Sequence, residues 1–277
     1  MNLTRTEIKA RGLTFEISES GPADGEPVLL LHGFPQDNRE FERIIPILNE
    51  AGLRTYALNQ RGYSPGARPR DVEAYRLREA VADALAVLDE LGVERAHVVG
   101  HDWGAQVGWL LAANHPERLR TLTAVSVPHP RALLLALRVR TSQKARLAYF
   151  EVFRSARAER LLLARDAMVL RWMLRPLVAE RVQRYVDAAR EPGRLTGGLN
   201  WYRAFSSDQI AKTGVITVPT TYVWSDRDGV VGLTAALRTA DWVSADYQLW
   251  AMRGVSHWVP EEAPRELADA VLARIGV

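Results

Sequence analysis

The chain has 277 residues, 47% hydrophobic and 25% charged, with a net charge of +3, a profile that fits one soluble globular unit with a large core. It contains no cysteine, which excludes disulfides, a thiol nucleophile and thiolate metal sites. No run approaches the roughly 18 apolar residues of a membrane span, and the N-terminus MNLTRTEIKARG lacks an apolar leader core, so a cytoplasmic protein without a membrane span is expected.

Along the chain, Thr14 to Ser18 alternates with period two and reads as a strand. Pro27 to Leu31 (PVLLL) is a short continuous apolar run ending in His32-Gly33, the pattern of a strand buried on both faces that feeds a turn. Arg54 to Leu58, Ala96 to Val99, Leu122 to Val127, Thr220 to Trp224 and Tyr247 to Met252 share this character. Between them lie helical patterns: Tyr75 to Leu91, with Val81, Leu85, Leu88 and Leu91 three or four apart and Gly92 as a stop, then Trp103 to Asn114 and Pro260 to Ile275. The alternation predicts an α/β fold, an open and mostly parallel doubly wound sheet.

From Pro130 to about Lys212 strand signals vanish. Leu/Ala/Arg-rich helical stretches, Ala132 to Arg175 and Val178 to Ala189, take their place, and strand signal resumes at Val215. The arginines of this region, spaced among Leu, Ala and Glu, read as solvated helical faces, and the chain carries no phosphate loop, zinc spacing or aromatic-interleaved basic patch. No nucleic-acid partner is therefore expected. The predicted organisation is a core of residues 1–129 and 214–277 with a helical cap, 130–213, over the carboxyl ends of the strands, where open α/β sheets bind ligands.

The segment Val98-Val99-Gly100-His101-Asp102-Trp103-Gly104 has the form strand, G-x-nucleophile-x-G, helix. Small residues on both sides permit the sharp turn that thrusts the central side chain above the sheet. A carboxylate stands where serine is usual; taken alone, Asp102 reads equally as a cap for the following helix. Triad partners in this architecture follow in the order nucleophile, acid, histidine. Ser225-Asp226-Arg227-Asp228-Gly229 and Gly254-Val255-Ser256-His257-Trp258 supply them from loops leaving two later strands, and this ordered set makes Asp102 the nucleophile. His32-Gly33-Phe34-Pro35-Gln36 adds a strand-to-loop turn whose Phe34 backbone N–H would pair with that of Trp103 as an oxyanion hole.

The set HGFP, RGYS (Arg61 to Ser64), GHDWG, WSDRD and GVSHW resembles the epoxide hydrolases of the α/β-hydrolase fold, relatives of the haloalkane dehalogenases. The resemblance spans the whole chain. It implies Asp102 as nucleophile, Asp228 rather than Asp226 as the orienting acid, and His257 as general base. It also implies two lid tyrosines as proton donors: Tyr202, in Asn200-Trp201-Tyr202-Arg203, and Tyr149, four residues before Phe153. No cofactor or metal is called for. The substrate would be a small apolar epoxide, and a homo-oligomer stays open. Asn59, where relatives often carry Asp, is expected to be structural. The chemistry agrees with a carboxylate: attack on a strained sp³ carbon gives a stable alkyl ester, while attack on an ester or amide would give a labile anhydride. Two other readings remain at this level. In a dehalogenase a halide would want N–H donors from Trp103 and an Asn or Trp near the oxyanion turn, where this chain has Phe34. The other is a ligand-binding protein that keeps the fold without turnover.

Overall fold

The computed structural model describes residues 4–277. Eight strands form one sheet: β1 (Thr4–Ala10), β2 (Leu13–Ser20), β3 (Pro27–Leu31), β4 (Arg54–Leu58), β5 (Ala96–His101), β6 (Leu119–Val125), β7 (Thr220–Ser225) and β8 (Tyr247–Met252), in the order β1-β2-β4-β3-β5-β6-β7-β8. β1 and β2 run antiparallel, β2 meets β4 antiparallel, and every later pair is parallel. The central strands are buried along nearly their whole length, so continuous apolar runs mark them in the sequence.

Helices cover both faces. On the core they are α1 (Ile45–Glu50), α2 (Leu77–Glu90) and α3 (Trp103–Asn114). Between β6 and β7 the chain forms α4 (Pro130–Val139), α5 (Thr141–Arg146), α6 (Tyr149–Arg154), α7 (Ala158–Met173), α8 (Ala179–Ala189), α9 (Arg194–Ala204) and α10 (Asp208–Ala211). After the sheet resumes come α11 (Leu233–Arg238), α12 (Val259–Glu262) and α13 (Pro264–Ile275). Among the described residues no helix is long and apolar enough to cross a membrane.

The structure differs from the sequence reading in four places. β1 is an added edge strand; its polar TRTEIKA shows little beyond one half-buried stripe and depends on the two-residue turn Arg11-Gly12, both at positive φ, for its pairing with β2. The helix expected from Tyr75 starts at Leu77, because Arg76 is not helical. The stretch Ala132 to Arg175 is four helices rather than one, and the last, α7, is kinked where Arg165, Asp166 and Ala167 take positive φ. Pro260 to Ile275 divides at Ala263, which lies outside the helical region because Pro264 follows it.

The helical segment is bound to the core near the carboxyl ends of the strands. His129, at the start of α4, hydrogen-bonds the Gly214 carbonyl through Nε2 at 3.1 Å, joining the two points where the chain leaves and re-enters the sheet region. On α5, the Gln143 amide donates to the Val230 carbonyl at 2.8 Å and accepts from the Gly232 N–H at 2.9 Å. The backbones of Gly62 and Gly197 approach so closely that a Cβ on Gly197 would stand 2.6 Å from the Gly62 Cα, which seats α9 on the RGYS loop. The Trp201 indole N–H donates to the Arg61 carbonyl at 3.0 Å, while Arg61 itself is fixed by two bonds to buried Asp83. Asn59 is likewise an internal tie, accepting from the Asn38 N–H and donating to Glu16.

Candidate active site

Asp102 stands between β5 and α3 at φ 51° and ψ −115°, a conformation L-residues seldom adopt. The turn closes because its flanks are glycine: a Cβ on Gly104 would lie 1.9 Å from the Leu31 carbonyl oxygen, and one on Gly100 would lie 2.3 Å from that of Gly104. The helix-cap alternative fails on geometry, since the Asp102 side chain accepts no bond from the first turn of α3. Its Oδ1 instead accepts from the Phe34 N–H at 2.9 Å. That approach also requires Gly33, whose Cβ would meet the Asp102 side chain at 2.3 Å.

His257 lies on the other side, with Nε2 3.4 Å from Asp102 Oδ2 and Nδ1 3.0 Å from Asp228 Oδ2. Asp228 is held by the N–H groups of Val230 and Val231, at 2.6 and 3.0 Å to its Oδ1. Arg146 on α5 donates to the Asp228 carbonyl at 2.6 Å. Asp226, the other acid in that loop, is exposed and accepts from the Gly254 N–H. The structure thus brings Asp102, His257 and Asp228 into one buried line and leaves Asp226 out. The Trp103 N–H stands at the start of α3 directly beyond the elbow.

Burial alone would push the Asp102 carboxyl up, but the hydrogen bond and charge of His257 hold it below its ordinary value. Burial would depress His257; the Asp228 charge and the bonds to both carboxylates outweigh it and push the imidazole up to about 10. The two acids therefore favour the protonated form of the imidazole that lies between them.

Tyr149, the first residue of α6, and Tyr202, on α9, line the same cavity of about 550 Å³ as Asp102 and His257. Their rings are 6.1 Å apart at 71°. Tyr202 is fixed among Phe34, Trp103, Phe150 and Phe153, all with ring centroids within 5.3 Å. Burial and then neighbouring charge, Asp102 included, raise both hydroxyls well above the usual tyrosine range; the Tyr202 hydroxyl partly opposes this at Tyr149. Both are phenols at neutral pH. The Trp103 indole N–H is buried and has no hydrogen-bond partner, with its ring edge-on to Tyr202 at 5.0 Å.

Behind the site lie residues that sequence reasoning did not single out. His101 Nε2 is 2.9 Å from the His257 carbonyl, and the Ser126 hydroxyl donates to the same oxygen at 3.0 Å, so the backbone of His257 is pinned by two bonds. Burial lowers His101 to about 4 and raises Glu40 well above the carboxylate range. A neutral His101 that donates from Nε2 accepts at Nδ1, and a protonated Glu40 supplies that proton across 3.2 Å. His32 is neutral in the same way, lowered to about 4 by burial; Nδ1 donates to the Gly33 carbonyl and Nε2 accepts from the Gln60 N–H, bracing the turn that presents Phe34. His101 was visible within GHDWG, but Glu40, in DNREFERI, has no sequence feature that separates it from a solvated helical charge.

The alpha/beta hydrolase fold family matches residues 26–264. Epoxide hydrolase A of Mycobacterium tuberculosis is 32% identical, with 97% of this chain and 96% of that protein covered. An AB hydrolase superfamily protein of Bacillus subtilis is 31% identical, with 96% and 95% covered. Among solved structures, an epoxide hydrolase from Vigna radiata superposes with a TM-score of 0.87 at 26% identity over 99% of this chain and 98% of that one. The chain belongs to the α/β-hydrolase fold family and groups there with epoxide hydrolases.

Proposed function

We propose that the protein is an epoxide hydrolase that converts a small, largely apolar epoxide to a vicinal diol in the cytosol. The observation that carries this reading is the placement of two phenols, half-buried Tyr149 and buried Tyr202, on the same cavity as the Asp102 carboxylate. An opening epoxide needs a nucleophile on carbon and a proton donor on oxygen, and these groups are of those two kinds.

In the first step Asp102 attacks one ring carbon. The C–O bond breaks, and the alkoxide takes a proton from the tyrosine pair. The alkyl ester that forms carries no charge on Asp102, so His257 loses one of the two carboxylates that keep it protonated. Its pKa falls and it gives up its proton to solvent, so the base appears after alkylation rather than before it. In the second step neutral His257, oriented by Asp228, takes a proton from water as that water attacks the ester carbonyl. The Phe34 and Trp103 backbone N–H groups stabilise the oxyanion; one such donor is worth about 3 kcal/mol. Collapse releases the diol and restores the Asp102 carboxylate, while the tyrosine pair is reprotonated from solvent.

A His257→Gln variant separates the steps. It is expected to accept one equivalent of epoxide and then stall, with intact-protein mass spectrometry showing a gain equal to the whole epoxide on the peptide that contains Asp102. An unmodified variant that still releases diol would exclude the ester.

A further inference from the structure

Gln106 lies one turn beyond the nucleophile on α3 and is 4% exposed. Its Nε2 amide group is enclosed and has no hydrogen-bond partner. It borders a second, small pocket of about 50 Å³ shared with Asp102, Tyr149 and Tyr202 and walled by apolar side chains that include Val127, Leu133, Ile210 and Val230. The larger cavity opens from the same three residues towards Phe153 and Trp172. An oxirane seated at Asp102 therefore has room for a long arm on one side and only a few heavy atoms on the other.

An unpartnered buried amide costs about 1–3 kcal/mol, and a leucine of similar size would fill this helical position without that cost. Gln106 lines the pocket, so a turn of its amide presents this donor to an acceptor seated there. Resting on the epoxide reading above, we infer that Gln106 is a specificity residue, and that the preferred substrates carry an ether, carbonyl or hydroxyl oxygen on the shorter arm of the epoxide.

Two trans phenyl oxiranes that differ only in the short arm, methoxymethyl in one and propyl in the other, test this in the wild type and in Gln106→Leu. The wild type is expected to favour the ether over the hydrocarbon by about tenfold more in kcat/KM than Gln106→Leu does, the worth of one hydrogen bond to a buried donor. Gln106→Leu should fold and melt no lower than the wild type, and the test reads the ether-to-propyl ratio within each variant rather than either absolute rate; Gln106→Met, tested alongside, guards against a packing defect peculiar to leucine. An unchanged ratio with both substrates turned over would overturn the inference and leave the epoxide reading standing. If no variant turns over either oxirane, the epoxide reading fails, and calorimetric binding of the two corresponding diols decides the subsite separately: a wild-type preference for the ether diol that Gln106→Leu loses supports it, and equal preferences overturn it.

Discussion

Asp102→Asn is expected to lower kcat by at least about 10⁴-fold, on the scale of removing the nucleophile from a comparable triad. Its fold should survive. The asparagine carbonyl can still accept from the Phe34 N–H, and the elbow depends on Gly33, Gly100 and Gly104 rather than on charge. The substitution also removes one of the carboxylates that raise His257, so the imidazole should titrate below the value of about 10 set by the paired acids. Steady-state kinetics, a thermal melt and an NMR titration of the His257 ring check the three parts. An inactive variant with an unchanged melt and a lowered histidine pKa fits a nucleophile; activity within tenfold of wild type would remove Asp102 from the chemistry.

The second large effect concerns the lid phenols. General acid catalysis contributes about 10² to 10⁴ in rate, and the two hydroxyls share one task. Single Tyr149→Phe and Tyr202→Phe variants should therefore each lose less than the double variant, which is expected to fall about 10³-fold in the ring-opening step with little change in KM. The loss should be smaller for epoxides whose alkoxide is stabilised by an electron-withdrawing substituent. An alkyl bromide supplies a further control, because a departing bromide needs no proton. Pre-steady-state measurement of ester formation gives the comparison. A double variant that opens epoxides at the wild-type rate would leave the tyrosines as packing residues. Release of bromide faster than epoxide opening in the wild type would favour a dehalogenase.

Much of this was legible in the sequence, for a physical reason. Strands buried on both faces must be continuously apolar, so PVLLL and the runs ending at Val99 and Trp224 identified themselves. The elbow was legible because close backbone approach demands glycine at fixed offsets, and the choice of Asp228 over Asp226 agrees with their positions in the loop. Edge strand β1 was not legible, because one paired side and one half-buried stripe leave little hydrophobic signal in TRTEIKA. The breaks within 130–175 escaped because Leu, Ala and Arg are good helix formers throughout, and the positive φ values at Arg165 to Ala167 fall on residues with no glycine to announce them. Glu40 and Gln106, and the bracing role of His101, were hidden for a related reason. Their roles depend on which side chain is denied water, and only the assembled fold decides that.

The covalent ester on Asp102 is the central claim, and one measurement addresses it most directly. With enzyme in excess over epoxide, a single turnover is run in water labelled with heavy oxygen, and both the diol and the Asp102-containing peptide are analysed by mass spectrometry. A covalent route leaves the first diol unlabelled, because its new oxygen comes from the carboxylate, and places the label in Asp102. Label in the first diol and none in Asp102 would mean direct attack by water on the epoxide and would contradict the account.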